Sequence, residues 1–502
     1  MMNYEKKNKS LFAWGALWCG LILLLGFSAT SGFTVAAGPV GGGDPPSMTW
    51  NVTFDGGYED KAIDIATDAA GNSFVFGYSD NGINKDFRLV KYDSNGNVVW
   101  NAVLDDGGNE GLYVFSGSVA LDTAGNIYIS DISYKSTYDE LLVAKYNSAG
   151  ALQWVARYNS GSGDQASGAV PDESGNVYVA GVRYTGQSDS DRYLLKLDSN
   201  GVIIWNKTDV HSGRDRDGDI ARDASGNLYV TGFLDDAYRT TKYDSNGNVL
   251  WDHTYNPGVY DYANDLALDS AGNVYVSGWS SDNVTIEAVT LKYNNSGTLL
   301  WDRRYDAGQE AFPAGMAVDG SGAVYVGATK SLSNGTIPVD TRLIKYDSAG
   351  TLLWDVAYDS GQADGSGGVA VDAEGNIVLA GYSFNGVNYD LRTIQYSETG
   401  TLVSRKIQMG FEIFQPNELA ARIQVADPEN LVVVPGATVD VTFTLPDGTW
   451  ITSAVTNSTG WASFRVPTAG GGVCTITVDD VTLEGYLFDP SQSVLTRTVN
   501  CP

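Results

Sequence analysis

Through most of this chain apolar and polar residues alternate with a period of two, in short runs broken by Gly- and Asp-rich stretches. Such alternation predicts half-buried β-strands, and it excludes a solenoid of helices. The first runs are Ala62–Thr67, Asn72–Gly77, Phe87–Tyr92 and Val98–Leu104. The same four-run pattern then returns along the chain. Lys91-Tyr-Asp-Ser-Asn-Gly-Asn-Val-Val-Trp100 is repeated as Lys196-Leu-Asp-Ser-Asn-Gly-Val-Ile-Ile-Trp205 and Lys242-Tyr-Asp-Ser-Asn-Gly-Asn-Val-Leu-Trp251, with looser copies ending at Trp154, Trp301 and Trp354. A seventh copy, Gln395 to Ser404, lacks the Trp. In phase with it runs Asp68-Ala-Ala-Gly-Asn-Ser-Phe-Val-Phe-Gly77, which starts again at Asp122, Asp172, Asp223, Asp269, Asp319 and Asp372.

Trp50, Trp100, Trp154, Trp205, Trp251, Trp301 and Trp354 follow one another at intervals of 46 to 54 residues. Four short antiparallel strands in about 50 residues are the signature of a β-propeller blade. Pro171 and Pro313 fall in or just before first strands, which a propeller tolerates because its innermost strand has one free edge. The fourth-strand pattern occurs once more than the others, at Met48–Phe54 and at Thr401–Gln408. One of these two strands is therefore expected to complete a blade begun at the other end of the chain, removing the exposed edges. The expectation is an all-β chain: a seven-bladed propeller of four-stranded antiparallel blades over residues 48–408, a linker over 409–419 and a β-sandwich over 420–502.

The turn, the acidic residue before the third strand and the closing Lys-Tyr-Asp-x-x-Gly and Trp resemble the bacterial β-propeller repeat called SBBP. The resemblance covers about 360 residues in seven copies, and that family implies an exported propeller without implying an activity. Beyond Gln408 the period stops. The strands expected there are Thr438–Leu445, Trp461–Val466, Val473–Val478 and Val494–Val499, separated by turns such as Pro446-Asp-Gly and Asn457-Ser-Thr-Gly. The run from Phe443 through Gly460-Trp-Ala-Ser-Phe to Gly485-Tyr-Leu-Phe-Asp-Pro490 is similar to immunoglobulin-like or prealbumin-like modules of secreted bacterial proteins, which implies a spacer or surface-attachment role.

Composition narrows the partners. The 502 residues include 59 Gly and carry a formal charge of −29, so a phosphate-binding surface of clustered Lys and Arg is not expected, nor is nucleic acid as a partner. Lys6, Lys7 and Lys9 precede an apolar run from Leu11 to Phe27, and Val35-Ala36-Ala37 has the small residues of a cleavage site. Residues 1–37 thus read as a signal peptide, or, uncleaved, as a membrane anchor and the sole membrane contact. Residues 38–47 read as a linker. After cleavage Cys474 and Cys501 are the remaining cysteines, and an oxidising compartment favours a disulfide between them.

Most of the acidic residues read as structural. Asp at the head of Asp-x-x-Gly accepts backbone N–H groups, and the Gly supplies the left-handed residue. Asp93-Ser-Asn-Gly-Asn is similar to half of an EF-hand loop, but Leu104 stands where a bidentate Glu is needed, and Tyr255 stands there after Asp244. Asp86, Asp139, Asp191, Asp236, Glu287, Asp340 and Asp390 stand five or six residues before the third-strand Lys or Gln, as caps of that strand. The repeated Trp reads as an inter-blade wedge whose N–H can reach a neighbouring carbonyl. Its spacing from Gly96 resembles the docking motif of quinoprotein dehydrogenases, with the preceding Asp one residue too close.

The loops into the first strands carry the candidate site. Asp60, Asp164, Asp215, Asp261 and Asp364 each lie eight residues before a turn Asp, and Glu110 and Glu310 occupy displaced positions. Seven blades would bring these carboxylates around an axial channel, where a divalent cation such as calcium or a basic partner could bind. Catalytic signatures are missing: His211 and His253 are the two histidines, and neither Gly-x-Ser-x-Gly nor His-Glu-x-x-His occurs. The expected function is an exported, non-enzymatic binding or surface-display protein without a cofactor, directed at a cell-surface protein, a glycan or a cationic ligand. The alternative is a secreted glycan hydrolase or lyase using carboxylates at the propeller axis.

Overall fold

The computed structural model describes residues 45–501, apart from 106, 111–116, 135–138, 186–188, 211–212, 306–309, 332–339, 399, 412–417, 427–435, 468–471, 483–485 and 489–495. The expected signal segment, most of the first linker and His211 lie outside the described residues. Those described contain strands and turns and no helix. None of them therefore forms a helix long and apolar enough to cross a membrane.

Residues 47–397 build seven antiparallel sheets, numbered 1 to 7 here by the chain order of their first strands. Sheet 1 consists of Asp60–Thr67, Ser73–Asp80, Lys85–Tyr92 and Val98–Leu104, paired in that order. The first strands of the others are Ser118–Leu121, Asp164–Pro171, Asp215–Arg222, Tyr260–Leu268, Glu310–Val318 and Asp364–Val371. Sheet 2 has five strands, because the two-residue strand Asn109–Glu110 pairs separately with Ile127–Tyr134. Sheet 7 takes its fourth strand from the start of the chain: Ser47–Phe54 pairs with Tyr389–Ser397, Val52 opposite Thr393.

Turn chemistry sets the registers. Asp223 accepts the N–H groups of Ser225 (2.9 Å) and Asn227 (2.8 Å), and Gly226, at φ +85°, donates to the Asp223 carbonyl. The equivalent Asp-to-Gly backbone bond recurs from Asp68 to Asp372, as expected for turn formers. Once each turn is fixed, alternation sends one set of side chains to each sheet face. The buried clusters lie between sheets. Phe74, Phe76 and Leu89 of sheet 1 meet Ile127, Ile129 and Leu142 of sheet 2. Val378, Ala380 and Leu391 of sheet 7 meet Ala62, Val75 and Tyr92 of sheet 1. Each fully buried Val, Leu or Phe contributes about 1.5–3 kcal/mol, so these shared faces hold neighbouring sheets together.

The tryptophans reinforce the same contacts. Trp50, Trp154, Trp251 and Trp301 donate their indole N–H to Ser94, Ser199, Asn295 and Ser348 carbonyls in the following sheet at 2.9–3.2 Å. Each ring lies on that sheet's turn glycine: a Cβ on Gly96, Gly201, Gly297 or Gly350 would come within about 2.8–3.1 Å of indole carbons. Trp354 instead donates to the Glu398 carboxylate at 3.0 Å, where the seventh turn departs from the pattern. Because Trp50 belongs to sheet 7 and Gly96 to sheet 1, the docking also spans the two ends of the array.

One expected strand is reassigned. Thr401–Gln408 has the fourth-strand pattern but lies within Gly400–Phe411, which pairs with Glu418–Ala426 and Tyr486–Phe488. The N-terminal strand already fills the fourth place of sheet 7, so the later copy is free to pair elsewhere. The repeated sheets therefore end at Ser397 rather than 408, and the expected linker over 409–419 is strand at both ends. Residues 400–501 form two further four-stranded sheets. Ala421, Ile423, Phe464 and Val466 of one share a cluster with Val441, Phe443, Cys474 and Ile476 of the other. In the latter sheet Cys474 stands opposite Val499, and Cys501 stands opposite Gly472.

Candidate functional site

The loop acids singled out from the sequence do gather at the starts of first strands, but they are turned into the protein. Asp60, Asp164, Asp215, Asp261 and Asp364 are 0–2% exposed. Asp60 accepts the Gly56 N–H at 2.6 Å and the Ser79 hydroxyl. Asp164 accepts the Ser160 N–H at 2.5 Å, Asp261 that of Gly258 at 3.1 Å and Asp364 that of Ser360 at 2.7 Å. Asp215 faces Arg239 at 3.3 Å, and Arg239 also pairs with Asp209 (2.6 Å) and Asp252 (2.9 Å). Glu310 is half-buried, opposite Ser331, and Glu110 stands opposite Ser133. Burial raises the carboxyls of Asp60, Asp164, Asp261 and Asp364 above their ordinary values, although the bonded N–H and hydroxyl donors oppose it.

The acids before the third strands lie against them. Asp139, Asp236 and Asp340 add repulsion to Asp164, Asp261 and Asp364 or receive it from them. Carboxylate oxygens of Asp55, Asp60 and Asp390 come within 4.8 Å of one another, a spacing compatible with a cation. Protein donors already occupy two of them: the Asn385 amide reaches both oxygens of Asp390 at 3.0 Å, and Asp60 is bonded as described.

A further concave site lies between the first strands. A cavity of about 410 Å³ is lined by residues from the first strands of all seven sheets, and none of the predicted loop acids lines it. Asp64, Asp219 and Asp265, each four residues before a turn Asp, supply its carboxyls. Ser118 holds the corresponding place in sheet 2, with Gly168, Gly315 and Gly368 in sheets 3, 6 and 7. In sheets 1, 3, 4, 5 and 6 a β-bulge falls just before this residue and turns it toward the neighbouring sheet.

These side chains staple neighbours. Asp64 Oδ2 accepts the Val119 N–H of sheet 2 at 2.8 Å, and Ser118 Oγ accepts the Ala169 N–H of sheet 3 at 2.9 Å. Asp265 Oδ2 accepts the Met316 N–H of sheet 6 at 2.6 Å. Asp219 and Asp265 both line the cavity, and each alters the proton affinity of the other. All three carboxyls are half-buried toward the cavity but ringed by protein. Burial, reinforced by the negative charge of Asp265, pushes Asp64 up to about 7, and burial pushes Asp265 up to about 6. Asp219 is raised well above the ordinary range by burial, then by Asp265 and Asp64.

The repeated geometry has a counterpart among known families. Residues 256–284 match the SBBP family, described as a beta-propeller repeat. The matched stretch holds the first two strands of sheet 5, with Asp261, Asp265 and the Asp269 turn, and the strand order and the turn Asp recur in the other sheets. Curated protein sequences give no match. Among solved structures, the chain is similar to puromycin hydrolase at 10% identity and a TM-score of 0.42, covering 86% of this chain and 60% of the hydrolase. The polysaccharide lyase Uly1 aligns at 9% identity and a TM-score of 0.43, over 67% of this chain and 89% of the lyase. Sqt1 from Chaetomium thermophilum aligns at 12% and 0.38, over 76% and 84%.

The sequence pointed to an acidic axial face and missed the residues that line it. The overlooked signal was a broken alternation: Asp64, Asp219 and Asp265 sit where an inward apolar residue belongs.

Proposed function

We propose that the chain is an exported, non-enzymatic binding protein. Its seven sheets are the blades of one closed propeller, and residues 400–501 form an immunoglobulin-like spacer. The ligand is a cationic group, such as a lysine, arginine or amine borne by a cell-surface partner, seated in the axial cavity. The observation that carries this reading is the cavity lining: three carboxyls converge there, and the single cationic residue lining it, Arg222, is turned to Glu173 at 2.8 Å. A basic side chain entering the cavity would exchange water for carboxylate oxygens in a low-dielectric setting, where such pairs are strongest.

The rival reading is a glycan hydrolase or lyase, favoured by two carboxyls of unlike proton affinity in one cavity. Titration calorimetry with spermidine and with a lysine-rich peptide at pH 8 tests the proposal. Binding is expected, weakened about tenfold or more by Asp219→Asn, a loss of about 1.4 kcal/mol. Absence of binding, or binding indifferent to that change, overturns it. Polysaccharide turnover abolished by Asp219→Asn would replace it with the enzyme.

A further inference from the structure

We propose that the outer edge of strand Gly448–Val455 is a self-association surface, on which a second copy of this chain pairs antiparallel and joins two four-stranded sheets into one. The strand is the end member of its sheet, beside Thr438–Leu445 and with no further neighbour among the described residues. Its eight residues, Gly-Thr-Trp-Ile-Thr-Ser-Ala-Val, include no charge and no proline. Its large apolar side chains stand in solvent: Trp450 is 46% exposed, Ile451 78% and Val455 60%.

A long, flat edge recruits further strands unless a charge, a proline, a bulge or shortness blocks it. The outer strands of the seven repeated sheets all pair through a β-bulge. Among the other C-terminal edges, Trp461–Pro467 carries Arg465 and Pro467, Thr496–Cys501 carries Arg497, and Tyr486–Phe488 is three residues long. Gly448–Val455 has none of these devices and pairs with Thr438–Leu445 without a register shift.

The geometry of the hairpin says which groups the edge offers. Leu445 and Gly448 flank a two-residue turn and share its closing hydrogen bonds. Alternation from Gly448 then directs the N–H and C=O groups of Thr449, Ile451, Ser453 and Val455 away from the sheet. A partner strand has to meet them without setting acid against acid, in a chain of charge −29. The same strand of a second copy does so. The register that uses its whole length centres a two-fold axis on Thr452, with Ile451 opposite Ser453, Thr449 opposite Val455 and Asp447 opposite Asn457. On the core-facing side, Trp450 of each copy falls beside Ala454 of the other, a large ring against a small side chain. Ala454 already packs on the buried cluster of the C-terminal sheets, and Trp450 stands opposite Phe443 of that cluster. Each indole would therefore extend both cores across the seam.

A seam of one strand pair lies at the weak end of specific interfaces, and the acidic surfaces around it repel, so pairing needs concentrated protein and is favoured by salt. Sedimentation of the full chain from about 1 μM to about 1 mM tests this, with a monomer expected to pass into a dimer over that range. Ile451→Lys places a charge on the edge, and Ser453→Pro removes an outward donor. Each is expected to weaken dimerisation about tenfold or more. At the axis the two Thr452 Cα atoms would lie about 4.5 Å apart, within disulfide reach. Oxidised Thr452→Cys should thus give a covalent dimer, and Thr449→Cys, which faces Val455, should not. A monomer throughout, even one that captures some other extended peptide, overturns the proposal. So does a dimer indifferent to both edge substitutions, or one that Thr452→Cys fails to cross-link. Should Ser453→Pro fail to fold, Ile451→Lys decides, since its side chain stands in solvent. The axial cavity has no part in these readouts, so this proposal and the cationic-ligand reading fail separately.

Discussion

Gly350 shows how tightly single positions are constrained between sheets. It sits at φ +80°, and a Cβ there would meet the Trp301 ring at 2.9 Å. Gly350→Ala is expected to destabilise by about 1–3 kcal/mol in urea unfolding, since both the backbone and the indole resist it. Trp251→Ala removes the other half of such a contact at Gly297, together with an N–H bond, and should cost about 3–5 kcal/mol by the same measurement. The turn carboxylates act oppositely to the axial ones. Burial alone would raise Asp223, but the Asn227 amide and N–H, the Tyr229 hydroxyl and Lys242 outweigh it and hold it below the ordinary range. Asp122, Asp269 and Asp319 behave alike. Their stabilisation is present above the ordinary carboxylate range and lost as pH falls, so stability should peak in mild acid and collapse below about pH 4. A thermal-midpoint profile from pH 3 to 8 checks this. The turn residues were legible in the sequence because their bonds are local, within four positions. Asp64, Asp219 and Asp265 were not, because nothing local says which broken alternation points at an axis.

At the scale of elements, the strands were readable where alternation and turn chemistry agree: Val98–Leu104 and Thr438–Leu445 stand as expected from sequence. First strands begin earlier than expected, at Asp60 rather than Ala62 in sheet 1, because the buried loop acid is part of the strand. The pairing of Thr401–Gln408 could not be read, since its pattern suits two sheets and only the earlier claim of Ser47–Phe54 decides between them. Deleting residues 45–54 should leave Tyr389–Ser397 as a bare edge and remove the Trp50 bond to sheet 1. Size-exclusion chromatography is expected to show association, reversed by a synthetic peptide of Ser47–Phe54. A monomer as stable as the parent would contradict that role.

Across the whole molecule, the repeat count was visible because every copy carries an Asp-x-x-Gly turn and all but the last a closing Trp, whereas the cavity depends on how seven copies meet and is written in no one of them. The C-terminal sheets were harder to read, since Gly448–Val455 and Glu418–Ala426 are strands without a repeat to announce them. A Cys474–Cys501 disulfide would join neighbouring strands of one sheet and contribute about 3 kcal/mol in the chain-entropy model. Alkylation of unreduced protein should leave both thiols unmodified, and labelling of either would disprove the bond.

The hydrogen bond from Thr49 to Gln395 bridges 346 positions of sequence. A ribosome delivers the near side of this seam first and must make almost the entire array before the far side exists. Until then the newborn chain is a fan with two raw margins. The final joining step is therefore the slowest contact to find by diffusion, and the moment at which the nascent protein most needs shelter from its own kind.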